Sequence, residues 1–493
     1  MMYIEGLKQG ERFISMLKRA TEKKPVIVLK AGRSRRGAIA AASHTGSLAG
    51  SDAVFDALMK QCGVLRAENL EEAFSWVKFL AKAPVPKGEN TVIITNGGGI
   101  GVMATDACEK YGVNLYDNLQ VLNDTFRSVT PDFGSTKNPV DLTGQADSES
   151  YNAALDAALK SEKVESVIAL YCETAVFDSR NLPAMLESNF QKYQAGDKPL
   201  LFSIFGGAGI EHAMQELRAK CIPVFTDVYQ AVSCLGALLN YYRYLAANTG
   251  ETDDAEVDAV AIGALVEAAK KEGRSALFIN EAQQVMRLAG VPVPKSTVAG
   301  NIDQAVRRAE EIGYPVVMKI VSKDIIHKSD VGGVALDLLN REEVLDAYQA
   351  IIHNCRTRRP EAVIEGVEIS EMVRAGTETI VGARRDKVFG PIIMFGSGGK
   401  YVEVMKDVSF RALPLSRKQV MGMIEGIRSY PLLLGVRGEG KKDIAAVVDT
   451  VIRLGAVIRK CPGISDIEVN PLVVYEEGRG VKAVDIRILL SNP

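Results

Sequence analysis

Between residues 90 and 245, short apolar runs at 91–95, 166–171, 199–204 and 222–225 alternate with stretches whose apolar residues recur at helical spacing. This pattern constrains the fold strongly. Strands joined through helices run parallel, and their sheet needs helices on both faces. Residues 1–84 repeat the pattern on a smaller scale. A strand at Met2–Ile4 is followed by a helix over 11–22, a strand over 25–30, and amphipathic helices near 51–60 and 70–82. Residues 258–493 read differently. Helices come first, then strands at 315–320, 363–373, 377–384, 391–395 and 481–488, a proportion that argues α+β. The expected class is α/β, with parallel-sheet domains at 1–84 and 88–246 followed by an α+β domain at 258–493. A proline-bearing stretch at 81–88 and an acidic one at 247–254 separate them.

The chain is long enough, at 493 residues, for roughly three domains. Its 59 basic and 61 acidic side chains leave a net charge of −2, without the electrostatic footprint of a nucleic-acid or anionic-membrane binder. Seven cysteines lie scattered with no CxxC pair, as reduced core thiols of a cytoplasmic protein would. No apolar run reaches the ~18 residues of a membrane span. Met2-Tyr3-Ile4 reads as the tail of a buried strand with Glu5-Gly6 directly after it. The first domain is therefore expected to be truncated, its remainder upstream or on another chain.

Two of the four histidines sit in glycine- and serine-bearing loops. One loop is Ser43-His44-Thr45-Gly46-Ser47, and the other is His327-Lys328-Ser329-Asp330-Val331-Gly332-Gly333. Imidazole is a nucleophile near neutral pH, and loop amides can cradle a phosphoryl group. One such loop is as readily a surface turn; two suggest phosphate passed between sites. Lys319 ends a buried strand where an ammonium can meet phosphate, although a strand lysine is more often just edge-exposed. The segment around Glu371, Met372 and Val373 can line a base slot. Glu468 and Asn470, two apart on a strand, share a face, and with Asp485 they offer hard oxygen ligands. Mg²⁺ takes one or two such ligands besides nucleotide phosphates. Any one of these residues alone is more simply a polar position at a strand end. In the middle domain, Gly99-Ile100-Gly101-Val102-Met103-Ala104 spells a GxGxxA turn, with Asp117 following. That admits a dinucleotide reading, but such turns bind many anions or none.

Taken in order, strand-Lys319, HKSDVGGV, GTETIVGARRD, FGPIIMFGSGG, VMKDVSFRALPL, IEVNPL and AVDIRI resemble the ATP-grasp domain of the nucleoside-diphosphate-forming acyl-CoA synthetases, relatives of succinyl-CoA synthetase. The N-terminal run through Gly32-Arg33 and Ser43-His44-Thr45-Gly46 resembles the second half of that family's phosphohistidine domain. Residues 88–246 resemble its flavodoxin-like linking domain. The resemblance implies that His44 is the first phosphorylated histidine, with Glu5 hydrogen-bonding it, and that His327 is the second. It implies phosphate contact by Lys319 and an adenine hinge at Glu371, Met372 and Val373. Glu378, Gly332 and Gly333 complete the nucleotide-binding set. Asn470 and Asp485 would bind Mg²⁺, with Glu468 beside the metal. The implied reaction is acyl-CoA + ADP + phosphate ⇌ acid + ATP + CoA. ATP/ADP and Mg²⁺ are the implied cofactors. CoA would be a substrate bound by a domain that this chain lacks, and an upstream CoA-binding domain or subunit and an oligomer are expected. Acetyl is the default acyl group, and ATP against GTP stays open. A carboxylate–amine ATP-grasp ligase, a non-catalytic synthetase-like regulatory module, and a fragment needing a partner chain to fold remain as alternatives.

Overall fold

The computed structural model describes residues 1–34, 36–37, 39, 51–176, 179–247, 252–325, 328–399, 402–436 and 438–491. His44 and His327 lie outside the described residues. The chain divides into two compact units, one of Met1–Lys8 with Arg12–Thr249 and one of Gln9–Glu11 with Gly250–Pro493. The class is α/β, with parallel sheets in the first unit and antiparallel sheets in the second.

The first unit holds two sheets. β1 (Met2–Ile4), β2 (Val26–Lys30) and β3 (Val64–Ala67) form a parallel sheet in the order β1-β2-β3. β1 is therefore an edge strand with Tyr3 exposed. This corrects the expectation of a buried strand tail: only Ile4 of the three is buried. β4 (Thr91–Thr95), β5 (Val140–Asp141), β6 (Ser166–Cys172), β7 (Leu200–Phe205) and β8 (Val224–Phe225) form a second parallel sheet, ordered β5-β4-β6-β7-β8. Counted from β4, that is the flavodoxin-like order 2-1-3-4-5. Val92, Ile94, Val167, Ala169 and Phe202 face the helices Ser148–Lys160 and Leu182–Ala195. Ile93, Ile168, Leu170 and Leu201 face the other way, toward the helix Val228–Ala247, and share one core with Ile27, Leu65, Trp76 and Phe79. Both sheets therefore close over a common apolar layer. The Trp76 indole N–H donates to Ser233 Oγ at 3.2 Å across it, and the Tyr241 hydroxyl donates to the Thr21 carbonyl at 2.9 Å.

In the second unit β9 (Ser296–Ala299), β10 (Val316–Val321), β11 (Val334–Leu338) and β12 (Gly366–Glu371) form an antiparallel sheet, ordered β11-β10-β12-β9. One face, with Val316, Met318, Ile320, Val367 and Ile369, packs beneath the helices Ile302–Ile312 and Arg341–Arg358. A larger antiparallel sheet follows. It comprises β13 (Thr377–Asp386), β14 (Gly390–Ser397), β15 (Val408–Ala412), β16 (Ile464–Val474), β17 (Val481–Ala483) and β18 (Ile486–Leu490). Its order is β15-β14-β13-β16-β17, with β18 also on β16. The helix Ile444–Lys460 covers its inner face. The strand expected over 481–488 is broken at Val484-Asp485, because those residues turn back onto β16: Val484 N–H donates to the Pro471 carbonyl and Asn470 N–H to the Asp485 carbonyl. Among the described residues, no helix is long and apolar enough to cross a membrane.

Candidate functional site

β16 organises the second unit's polar face. Asp466, Glu468 and Asn470 are half-buried, whereas the alternating Ile467 and Val469 are fully buried. Regular alternation would next put Leu472 on the polar face. Instead Thr379 pairs with Leu472 and Val381 with Val469, so β16 carries one extra residue at Asn470-Pro471. The Asn470–Pro471 peptide is cis. A bulge of this kind re-aims a side chain, and it returns Leu472 to the core. Proline inside a strand is the sequence sign of such a bulge.

Asn470 adjoins two further expected residues, Glu378 and Asp485. Its Oδ1 accepts from Gly399 N–H at 3.0 Å, and Gly398 N–H donates to the Glu378 carbonyl at 3.0 Å. A Cβ at Gly399 would meet Glu378 Oε2 at 2.5 Å, so the side chain of Glu378 lies directly against this loop. The Gly398-Gly399 loop is thus pinned between β13 and β16. Lys319 is the one residue of β10 that is not fully buried, and its Nζ lies 3.9 Å from Asp485 Oδ1. Glu468 faces Arg487 of β18, with Oε2 to Nη2 at 3.6 Å. Burial pushes the Asp466 carboxyl above the ordinary aspartate value, and Arg487 and Arg384 partly oppose the shift. At the end of β12 the Glu371 carboxylate pairs with Lys482 of β17. The Glu371 and Met372 amides donate to the carbonyls of Lys295 and Pro315, and half-buried Val373 follows them. Gly332 adopts φ +68 and closes a tight turn, in which the Gly332 and Gly333 amides donate to Ser329 and Lys328 carbonyls. Those two amides are therefore already engaged within the turn.

Sequence reasoning did not single out Gly398, Gly399, Lys482 or Arg487. Gly398 and Gly399 stood in a visible glycine run. Lys482 and Arg487 depend on strand register, which local sequence carries weakly. In the Arg384-Arg385-Asp386 run, register puts Arg384 opposite Asp466. Arg385 instead hydrogen-bonds the Ile464 and Ile458 carbonyls, and Asp386 caps the Val388 and Phe389 amides, so both serve the fold.

Among the described residues, no group of three or more His, Cys, Asp or Glu side chains is arranged to hold a metal by itself. Asp485 and Asn470 do fit a cation that draws its remaining ligands from phosphates and water, as Mg²⁺ does.

In the first unit, Glu5 Oε1 accepts from the Tyr3 hydroxyl at 3.0 Å, which raises the Tyr3 pKa. Buried Lys30 donates to the Glu5 carbonyl at 3.1 Å, and burial lowers its pKa. Arg33 is held by Glu68 through two hydrogen bonds of 2.6 and 2.8 Å. Gly97 caps the helix Gly98–Tyr111 at the C-terminal end of β4. The second glycine of the GxGxxA motif, Gly101, packs on Pro139 and Thr95, where a Cβ would sit at 3.3 Å from both. Packing thus accounts for Gly101, whereas a Cβ at Gly99 would meet open space.

Three family models match the chain: a succinyl-CoA ligase like flavodoxin domain over residues 1–80, a Ligase-CoA domain over 91–249 and an ATP-grasp domain over 268–490. The 4-hydroxybutyrate–CoA ligase [ADP-forming] of Nitrosopumilus maritimus is 39% identical over 490 residues, covering 99% of this chain and 70% of that protein. The chain belongs to the ADP-forming acid–CoA ligases. A second member of that ligase family, acetate–CoA ligase [ADP-forming] I of Archaeoglobus fulgidus, is 37% identical over 100% of this chain and 70% of its own length. The beta subunit of acetate–CoA ligase [ADP-forming] I from Pyrococcus furiosus is 45% identical over 46% of this chain and 96% of that subunit. The first two ligases match the chain essentially from end to end. The chain spans 70% of the length of each.

Proposed function

We propose that this ADP-forming acid–CoA ligase conserves the energy of an acyl thioester as ATP through a two-histidine phosphoryl relay. Phosphate displaces CoA from the acyl group, giving acyl phosphate and free CoA. His44 takes the phosphoryl group and releases the carboxylic acid. His327 accepts it next, and the β-phosphate oxygen of ADP finally displaces His327 to give ATP. Splitting one difficult transfer into covalent steps lowers each barrier. The observation that carries this reading is a linked polar cluster: Asn470 and Glu378 hold the Gly398-Gly399 loop, the Asp485 carbonyl accepts from the Asn470 amide, and the Lys319 ammonium lies 3.9 Å from the Asp485 carboxylate. The assembly offers one ammonium, hard oxygen donors and a glycine loop, which suits a polyphosphate. Lys319 would neutralise phosphate charge, and Glu371 to Val373 would seat the base. Glu5 would orient the His44 imidazole. Asp485 and Asn470 would hold Mg²⁺, which when bound offsets charge on the phosphates. Acetate and 4-hydroxybutyrate, the acids in the names of the relatives given above, are the first acids to test.

The test is incubation of the full chain with γ-labelled ATP and Mg²⁺, followed by assay for acid-labile, base-stable label. We expect label on the wild type, its loss in His327→Ala, and its retention in His44→Ala. Equal labelling of His327→Ala and wild type would rule out entry at His327.

A further inference from the structure

Glu368 is a buried carboxylate that the phosphoryl relay does not use. It is 2% exposed, on β12, directly opposite Lys319 of β10 in the strand register. Opposed residues of an antiparallel pair point to the same face with neighbouring Cβ atoms. Glu368 Oε1 accepts one hydrogen bond, from Gln283 Nε2 at 2.8 Å. Gln283 is itself 2% exposed, and its Oε1 takes a hydroxyl hydrogen bond from Ser296 and a 3.4 Å contact from Arg287. Among the described residues, no lysine or arginine stands within ion-pair distance of Glu368. A carboxylate removed from water and met only by a neutral amide is costly unless a cation compensates it. The cation across the ladder is the Lys319 ammonium, which also lies 3.9 Å from Asp485.

We propose that Glu368 is a positioning residue for Lys319 and a built-in competitor of the nucleotide phosphates. Its charge draws the ammonium along the face of β10 and β12, opposite the pull of Asp485. A phosphate arriving at Lys319 meets a negative charge fixed behind it. Nucleotide binding in the ground state is thereby weakened and release after transfer is eased. Affinity shared equally by ground and transition states adds nothing to turnover once substrate is abundant. The inference rests on the reading of Lys319 as a phosphate contact.

Glu368→Gln keeps the shape and removes the charge. Titration calorimetry with Mg·ADP should give a Kd lowered roughly tenfold, with kcat lowered where release limits it. Glu368→Met offers a second variant should the glutamine one fold poorly, since apolar replacement of buried charge is commonly tolerated. It should tighten ADP binding likewise. In a Lys319→Met background, Glu368→Gln should leave ADP affinity where Lys319→Met alone puts it. Unchanged or weaker ADP binding in both folded Glu368 variants would overturn the proposal. Wild-type ADP affinity in Lys319→Met would overturn the phosphate-contact reading, and this inference with it.

Discussion

Replacing Asp485 with asparagine removes one charge at nearly constant shape, and the two roles assigned to that carboxylate predict effects of opposite sign. Without metal, Asp485 only holds Lys319. Its side chain is 60% exposed, so water screens the pair, and at 3.9 Å the Coulomb term is about 1 kcal/mol. Freeing the ammonium from that attraction should tighten ADP binding in EDTA roughly sixfold. With Mg²⁺ the carboxylate becomes a ligand. Its loss should weaken Mg·ADP at least roughly tenfold, the lower end for perturbed metal sites. Calorimetric titration of the full chain with ADP, once in EDTA and once in excess Mg²⁺, measures both. If the two affinities move in the same direction, or neither moves, Asp485 is not placed between ammonium and metal as argued.

Further consequences can be measured separately. Gly399→Ala forces a side chain into φ +86 and against Glu378 Oε2. The strain of about 1–3 kcal/mol should appear as weaker ADP binding together with a lowered Tm. Ser233→Ala strips the acceptor from the indole of Trp76, the chain's one tryptophan. A buried N–H left unpaired costs about 1–3 kcal/mol. With m near ~3 kcal/mol/M in urea, the fluorescence-detected midpoint should fall by roughly 0.3–1 M. Burial pushes the Glu281 carboxyl up, but hydrogen bonds from Arg274 and the Phe278 amide outweigh it and leave the pKa below its ordinary 4.5. A depressed carboxyl pKa stabilises the fold above the unfolded value and loses that effect as pH falls through the folded one. Glu281→Gln should therefore lower Tm at pH 7 and converge with wild type in acid.

The fold class was legible because period carries it. β4, β6 and β7 are covered on both faces, and each reads as an unbroken apolar run. The four-residue strand β3 gave too few residues for any period to register. The common layer beneath the two parallel sheets was not legible either. Trp76 and Ser233 are 157 residues apart, and nothing local to either announces the other. At the candidate site, Lys319, Asn470 and Asp485 were found through motif resemblance, and their approach depends on tertiary packing. Glu368 escaped notice because a glutamate in an apolar strand looks like an ordinary solvent-facing residue until the register and Gln283 are known.

The apolar layer beneath the two parallel sheets determines where this polypeptide can be divided. Cleavage in the proline-bearing stretch at 81–88 would leave Ile27, Leu65, Trp76 and Phe79 on one fragment and Ile93, Ile168 and Leu201 on the other. Each piece would carry half of a core and would aggregate. The hydrophobic clusters of the first unit end by Leu239 and those of the second begin at Val257. A gene break in the acidic stretch after Ala247 would open none of them. A stop and a start codon placed there would leave every one of these clusters whole on a single polypeptide, whereas the boundary that looks most like a linker in the sequence divides one of them.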